Sequence, residues 1–117
     1  MNNILITGCC GYVGTELTAY LLNKGHSIVG IDTCWFGNNL KKHNNLIFYK
    51  HDIRDLDDLD LQFDKIDTII HLANIANDPS ADLNPNLSWE TNVLASMKLC
   101  EIAKKNKIKK IIYASSG

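Results

Sequence analysis

The sequence predicts an α/β fold, a doubly wound parallel sheet with strand order 3-2-1-4-5. Short continuous apolar runs alternate with amphipathic stretches, and the connections between them are mostly short. Right-handed crossovers between successive parallel strands then set the order.

Ile4-Leu5-Ile6 is a continuous apolar run ending in Thr7-Gly8, the pattern of a strand buried on both faces. Residues 12–24 read as a helix, with Val13, Leu17, Tyr20 and Leu21 at helical spacing and Asn23-Lys24-Gly25 as its stop. Residues 27–31 form a second strand that ends at Asp32, and residues 46–49 form a third. The fourth spans 67–72 around Thr68-Ile69-Ile70. A long helix follows over 87–105, with Val93, Leu94, Met97 and Ile102 on one side, and a fifth strand over 109–115 is built around Ile111-Ile112-Tyr113. Two irregular stretches, 33–45 and 74–86, follow the carboxyl ends of strands, where such sheets bind ligands.

The 117 residues form one domain, and 45% hydrophobic with 21% charged residues is an ordinary soluble composition. A net charge of -1 gives no general electrostatic reason to expect nucleic acid or an anionic membrane surface as partner. No apolar run approaches the roughly 20 residues of a membrane span. Met1 leads straight into a strand-like run without a basic segment, so no secretory signal is expected. Cys9, Cys10, Cys34 and Cys100 form no CxxC pair, and His43 and His51 complete no metal spacing with them. The expectation is free thiols in a reducing cytoplasm and no metal. The acidic stretch 52–60 and the lysines of 104–110 read as a solvated helix and a helix C-terminus whose dipole favours cations.

Thr7-Gly8-Cys9-Cys10-Gly11-Tyr12-Val13-Gly14 carries the most chemistry. A phosphate-binding turn needs a tight bend after a strand, a backbone that a pyrophosphate can approach, and close helix–strand packing. Gly8, Gly11 and Gly14 supply these in turn, and the helix N-terminus adds free N–H groups and a positive dipole end. Glycines in a turn are common; the buried strand before them and the amphipathic helix after them supply the context the mechanism requires. Asp32 ends the second strand, where a carboxylate accepts hydrogen bonds from adenosine ribose hydroxyls and repels a 2′-phosphate. Thr33 and Cys34 follow, with no arginine to receive that phosphate, which favours NAD over NADP; a plain turn residue is the other reading of Asp32.

The GxxGxxG spacing resembles the Rossmann-type short-chain dehydrogenase/reductase superfamily, in particular its extended branch, the NAD-dependent epimerase/dehydratase family acting on nucleotide sugars. Further segments are similar to that family in the same order. His51-Asp52-Ile53-Arg54-Asp55 resembles its GDIRD segment, with His51 in place of glycine, which implies Asp52 on the adenine amino group and Ile53 on the ring edge. His71-Leu72-Ala73 resembles its HLA strand end, implying that the Leu72 and Ala73 backbone runs beside the cofactor while His71 is structural. Glu90-Thr91-Asn92-Val93 resembles ETN, which implies Asn92 supporting either the fourth strand or the cofactor pocket. Tyr113-Ala114-Ser115-Ser116 resembles YxSS, which implies Ser116 as the catalytic hydroxyl and Ser115 as its cofactor-side neighbour. By the same resemblance Gly8, Gly11, Tyr12, Val13 and Gly14 line the cofactor. Segments 74–79 and 32–37 resemble one sub-group of nucleoside-diphosphate-sugar enzymes; Trp35 and Phe36 either cover the adenosine or fill a loop.

The family's Tyr-x-x-x-Lys pair, the acid/base and its supporting amine, is not among these residues. The resemblance therefore implies residues 1–117 to be the NAD-binding domain of a longer enzyme, truncated before the sixth strand and the substrate region and inactive alone. The parent would move a hydride transiently from a nucleotide sugar to NAD. The alternative is a non-catalytic NAD-binding module or sensor. Apolar edges exposed in this arrangement favour self-association, so an oligomer of these residues in isolation says little about the native state, and a homodimer stays open as a partner arrangement.

Overall fold

The computed structural model describes residues 2–32, 40, 42–51, 65–72 and 85–113, with the backbone alone for 85–93 and 95. Their order is β1 (Asn3–Thr7), α1 (Tyr12–Asn23), β2 (Ser27–Asp32), β3 (Leu46–Lys50), β4 (Thr68–His71), α2 (Pro85–Lys105) and β5 (Lys110–Tyr113). The five strands pair in parallel as β3-β2-β1-β4-β5, the predicted order.

Alternate residues of β1 face opposite layers. Ile4 and Ile6 join Cys9, Cys10, Leu22, Ile28 and Ile70 in one core, with Leu17 and Leu21 of α1 packed against it. Leu5 joins Ile31, Ile66 and Ile69 in the other, closed by Leu99 and Ala103 of α2. A central strand buried on both faces is what a sheet with one helix on each side produces.

The predicted helix faces need correction. Val13 and Tyr20 are exposed, and the buried positions of α1 are Gly14, Thr18 and Leu22. These three recur every fourth residue, so a narrow stripe beginning with two small side chains meets the sheet and the larger side chains flank it. In α2, Leu94 and Met97 are likewise exposed, while Leu99 and Ala103 are buried and Ile102 packs beside them.

The helix ends follow local chemistry. After α1, Gly25 has φ +93, and the N–H groups of Gly25 and His26 donate to Leu22 and Leu21 carbonyls at 3.1 and 3.2 Å. This is a Schellman closure, and the glycine predicted as the stop takes the left-handed position it requires. Helix α2 begins at Pro85, two residues before the predicted start, because proline suits a first helical position whose N–H needs no partner. At its far end Asn106 Nδ2 donates to the Ile102 carbonyl at 2.9 Å, and Lys107 takes φ 56.

Strand β4 is shorter than predicted. Asp67 precedes it as a clamp, its N–H donating to Asn3 O and its carboxylate accepting from Asn3 N–H, both at 2.8 Å. The predicted fifth strand covers 109–115; β5 runs over Lys110–Tyr113, and residues 114 and 115 lie outside the described residues. Among the described residues no helix is long and apolar enough to cross a membrane.

Candidate functional site

The carboxyl ends of β2, β1 and β4 stop level, with Thr7 paired to Ile31 on one side and His71 on the other. The chain leaves β1 at this point, so the turn before α1 sits at the top centre of the sheet, where strand order reverses and a crevice forms.

The turn is pinned from both sides. Gly8 has φ 74, a left-handed conformation open to glycine at no steric cost, and its N–H donates to Ile31 O at 2.8 Å. Gly11 N–H then donates to Gly8 O at 3.2 Å, and Thr15 N–H to Gly11 O at 2.8 Å, which closes the turn and opens the helix. A Cβ on Gly14 would overlap the Gly8 carbonyl oxygen and stand 2.8 Å from Cys9 Cα, so the first turn of α1 rests directly on the loop backbone. Gly11 differs: a Cβ there would meet Gly8 O at 3.5 Å, an ordinary contact. Steric packing therefore does not demand glycine at position 11, which serves as the N-cap of α1.

The N-cap residue Gly11 makes no side-chain hydrogen bond, and the first turn of α1 carries no acidic residue. Tyr12 and Val13 are exposed there. The positive end of the helix thus faces outward without an anion from its own first turn, an arrangement suited to phosphate.

Half-buried Asp32 ends β2 beside the loop, and its Oδ2 accepts from Cys10 N–H at 2.8 Å. The next step of the β2–β3 ladder, His51 N–H to Asp32 O at 2.9 Å, brings the segment preceding Asp52 to the same edge. Leu72 N–H donates to Thr7 O at 3.0 Å, setting Leu72 just past the end of β4. The structure thus brings Gly8, Gly11, Gly14, Tyr12, Val13, Asp32 and Leu72 to one end of the sheet. Asp52, Ile53, Ala73, Ser115 and Ser116 lie outside the described residues, as does the side chain of Asn92.

Two groupings go beyond the sequence reading. The sulfurs of Cys9 and Cys10 and a carboxylate oxygen of Asp32 lie within 4.8 Å of one another. Only the strand pairing that sets the end of β2 against the turn after β1 reveals this. The second is Thr7 with His71, whose Oγ1 and Nδ1 share a hydrogen bond of 2.7 Å in the core. Among the described residues His71 Nε2 has no hydrogen-bond partner, and the Tyr113 ring packs at 5.1 Å.

Burial lowers the His71 pKa from 6.5 to about 4, so the ring is neutral at pH 7. Between these two values the unfolded chain takes up a proton that the folded chain refuses. Stability is therefore lost as pH falls from about 6.5 towards 4, by up to about 3 kcal/mol from this group. Urea unfolding of the wild type and His71→Asn across that range is expected to give the variant the flatter profile. Parallel profiles would contradict a buried neutral His71.

Comparison with known proteins identifies the family and the fold. The profile of the NAD dependent epimerase/dehydratase family matches residues 4–117. A putative UDP-glucose 4-epimerase of Methanocaldococcus jannaschii is 31% identical over 97% of this chain and 38% of its own length. The UDP-glucuronate 4-epimerase of Thermodesulfobacterium geofontis is 30% identical over 100% of this chain and 40% of its own. Among solved structures, the epimerase Mth375 of Methanothermobacter thermautotrophicus superposes with TM-score 0.88 at 28% identity, over 99% of this chain and 35% of its own. The Bordetella bronchiseptica enzyme WbmF, in complex with NAD+, gives 0.86 at 29% identity, over 99% of this chain and 36% of its own. The chain thus spans less than half the length of each of these relatives.

Proposed function

The chain belongs to the NAD dependent epimerase/dehydratase family, and from that premise we propose that it is the NAD-binding portion of a nucleotide-sugar epimerase or dehydratase. The observation that carries this reading is the glycine turn itself. Left-handed Gly8, a Gly14 with no room for a Cβ and an outward α1 N-terminus stand beside a strand-end carboxylate. These residues fit a dinucleotide. NAD, when bound, supplies the hydride acceptor.

The chain's own residues bind and orient. The turn Gly8–Gly11–Gly14 accommodates the pyrophosphate, and the first-turn N–H groups at Tyr12 and Val13 satisfy its oxygens. Asp32 accepts from the adenosine ribose hydroxyls and disfavours a 2′-phosphate. Asp52 and Ile53 hold the adenine, the Leu72–Ala73 backbone and Ser115 flank the cofactor, and Asn92 supports the pocket. Ser116 gives a hydroxyl to the sugar at the reacting carbon. The partners on this reading are a nucleotide-sugar substrate and a second copy of the chain, in the cytoplasm.

Gly11→Ala separates fold from binding. Its unfolding free energy is expected to stay within about 1 kcal/mol of the wild type, since the backbone there suits any residue. Its affinity for NAD is expected to fall at least about tenfold, through the loss of one or two phosphate hydrogen bonds. Unchanged affinity would remove the pyrophosphate from this turn. Expressed from its whole native gene, the protein is expected to convert a UDP-sugar without net consumption of NAD. Bound NAD with no turnover of any UDP-sugar would favour a non-catalytic module instead.

A further inference from the structure

The glycine turn contains two adjacent cysteines, and their chemistry is not used by dinucleotide binding. Cys9 is fully buried with its sulfur lying over Gly30 of β2, where a Cβ would stand only 2.7 Å from Sγ. The absence of a side chain at Gly30 thus seats the sulfur against the strand that ends in Asp32. Cys10 is also buried, and its N–H holds the Asp32 carboxylate against the turn at 2.8 Å. The two sulfurs and a carboxylate oxygen fall within 4.8 Å of one another. Zinc–sulfur and zinc–oxygen bonds of about 2.3 and 2.1 Å put the ligand atoms of a tetrahedral centre roughly 3.5–3.8 Å apart. The trio therefore needs side-chain movements of about 1 Å at most to close on a cation.

We propose that Cys9, Cys10 and Asp32 form a three-ligand site for a thiophilic divalent cation such as Zn2+, and that cation and dinucleotide exclude one another. On binding, each thiol releases its proton to solvent and donates a sulfur electron pair to the metal; water fills the fourth position, and no group is oxidised or reduced. Two thiolates and one carboxylate overcompensate a divalent cation by one negative charge, which the positive end of α1 favours. Adjacent cysteines close a disulfide only with strain, and neither Cys9 nor Cys10 is in one. The exclusion arm rests on the NAD reading, because both ligands then claim Asp32. The protein would lose its nucleotide site as free zinc rises.

Cd2+ titration tests the site, read by thiolate-to-metal charge-transfer absorption. The protein carries Cys34→Ser and Cys100→Ser, with a non-thiol reductant present. One equivalent is expected to bind. Cys10→Ser is expected to halve the absorption, and both it and Asp32→Asn are expected to weaken binding at least about tenfold. Cys9→Ser serves as a third variant where circular dichroism shows it folded. No absorption, or absorption retained in full by Cys10→Ser, overturns the site. Cd2+ affinity unchanged under NAD shown by calorimetry to be saturating overturns the exclusion. Failure of NAD to bind the metal-free protein removes the dinucleotide reading and leaves the cation site to stand on its own titration.

Discussion

Replacing Asp32 by alanine is expected to weaken NAD binding by about 10–100-fold, the largest effect of any single side chain in the described part of the site. A carboxylate that accepts hydrogen bonds from ribose hydroxyls contributes about 1.5–3 kcal/mol. Alanine also removes the acceptor that Cys10 N–H now uses at 2.8 Å, so the turn itself loosens. Asp32→Asn separates the two effects. The amide oxygen still accepts from Cys10, but the negative charge is gone. Asparagine is therefore expected to recover the stability lost in alanine while narrowing the preference for NAD over NADP, since repulsion of the 2′-phosphate comes from the charge. Calorimetric titration of both variants with both dinucleotides reads this directly. Equal NAD affinity in wild type and Asp32→Ala would show that Asp32 is only a brace for the turn.

Gly14→Ala is expected to destabilise the fold by about 3 kcal/mol or more, although alanine is the better helix former by about 1 kcal/mol. The sign is decided by what the new methyl meets. It would overlap the Gly8 carbonyl oxygen and stand 2.8 and 2.9 Å from Cys9 Cα and carbonyl carbon, all backbone atoms. A flexible side chain can swing away; this backbone is fixed by Gly8 N–H on Ile31 O and by Cys10 N–H on Asp32. Relief requires α1 to lift off the sheet, which exposes Leu22 and opens the pocket. Chemical denaturation of Gly14→Ala beside Gly11→Ala makes the comparison. Similar stability for the two would contradict the close helix–turn approach.

The strands were legible because each is a short apolar run with a turn signal at its end, and parallel connections leave few orders to choose from. The glycine turn was legible from its context, and Asp32 from its place at the end of β2. The helix faces were not, because hydropathy favours large residues. The side of α1 that packs closest is led by Gly14 and Thr18, which a pattern of large apolar residues passes over. The Cys9–Cys10–Asp32 grouping was also hidden. Asp32 lies 22 residues beyond the adjacent cysteines and meets them through the β1–β2 register, so ligand-spacing rules for a single loop do not find the trio. The burial of His71 follows from strand order: β4 lies between β1 and β5, and Thr7 and Tyr113 both reach the ring.

The central claim is that the turn after β1 and the carboxylate after β2 form a working adenosine–pyrophosphate site. Calorimetric titration of the metal-free protein with NAD, and in parallel with NADP, tests it most directly. Saturable binding of one NAD per chain, with NADP at least about tenfold weaker through charge repulsion at Asp32, is the predicted result. Absence of binding by either dinucleotide, or tighter binding of NADP, would contradict it.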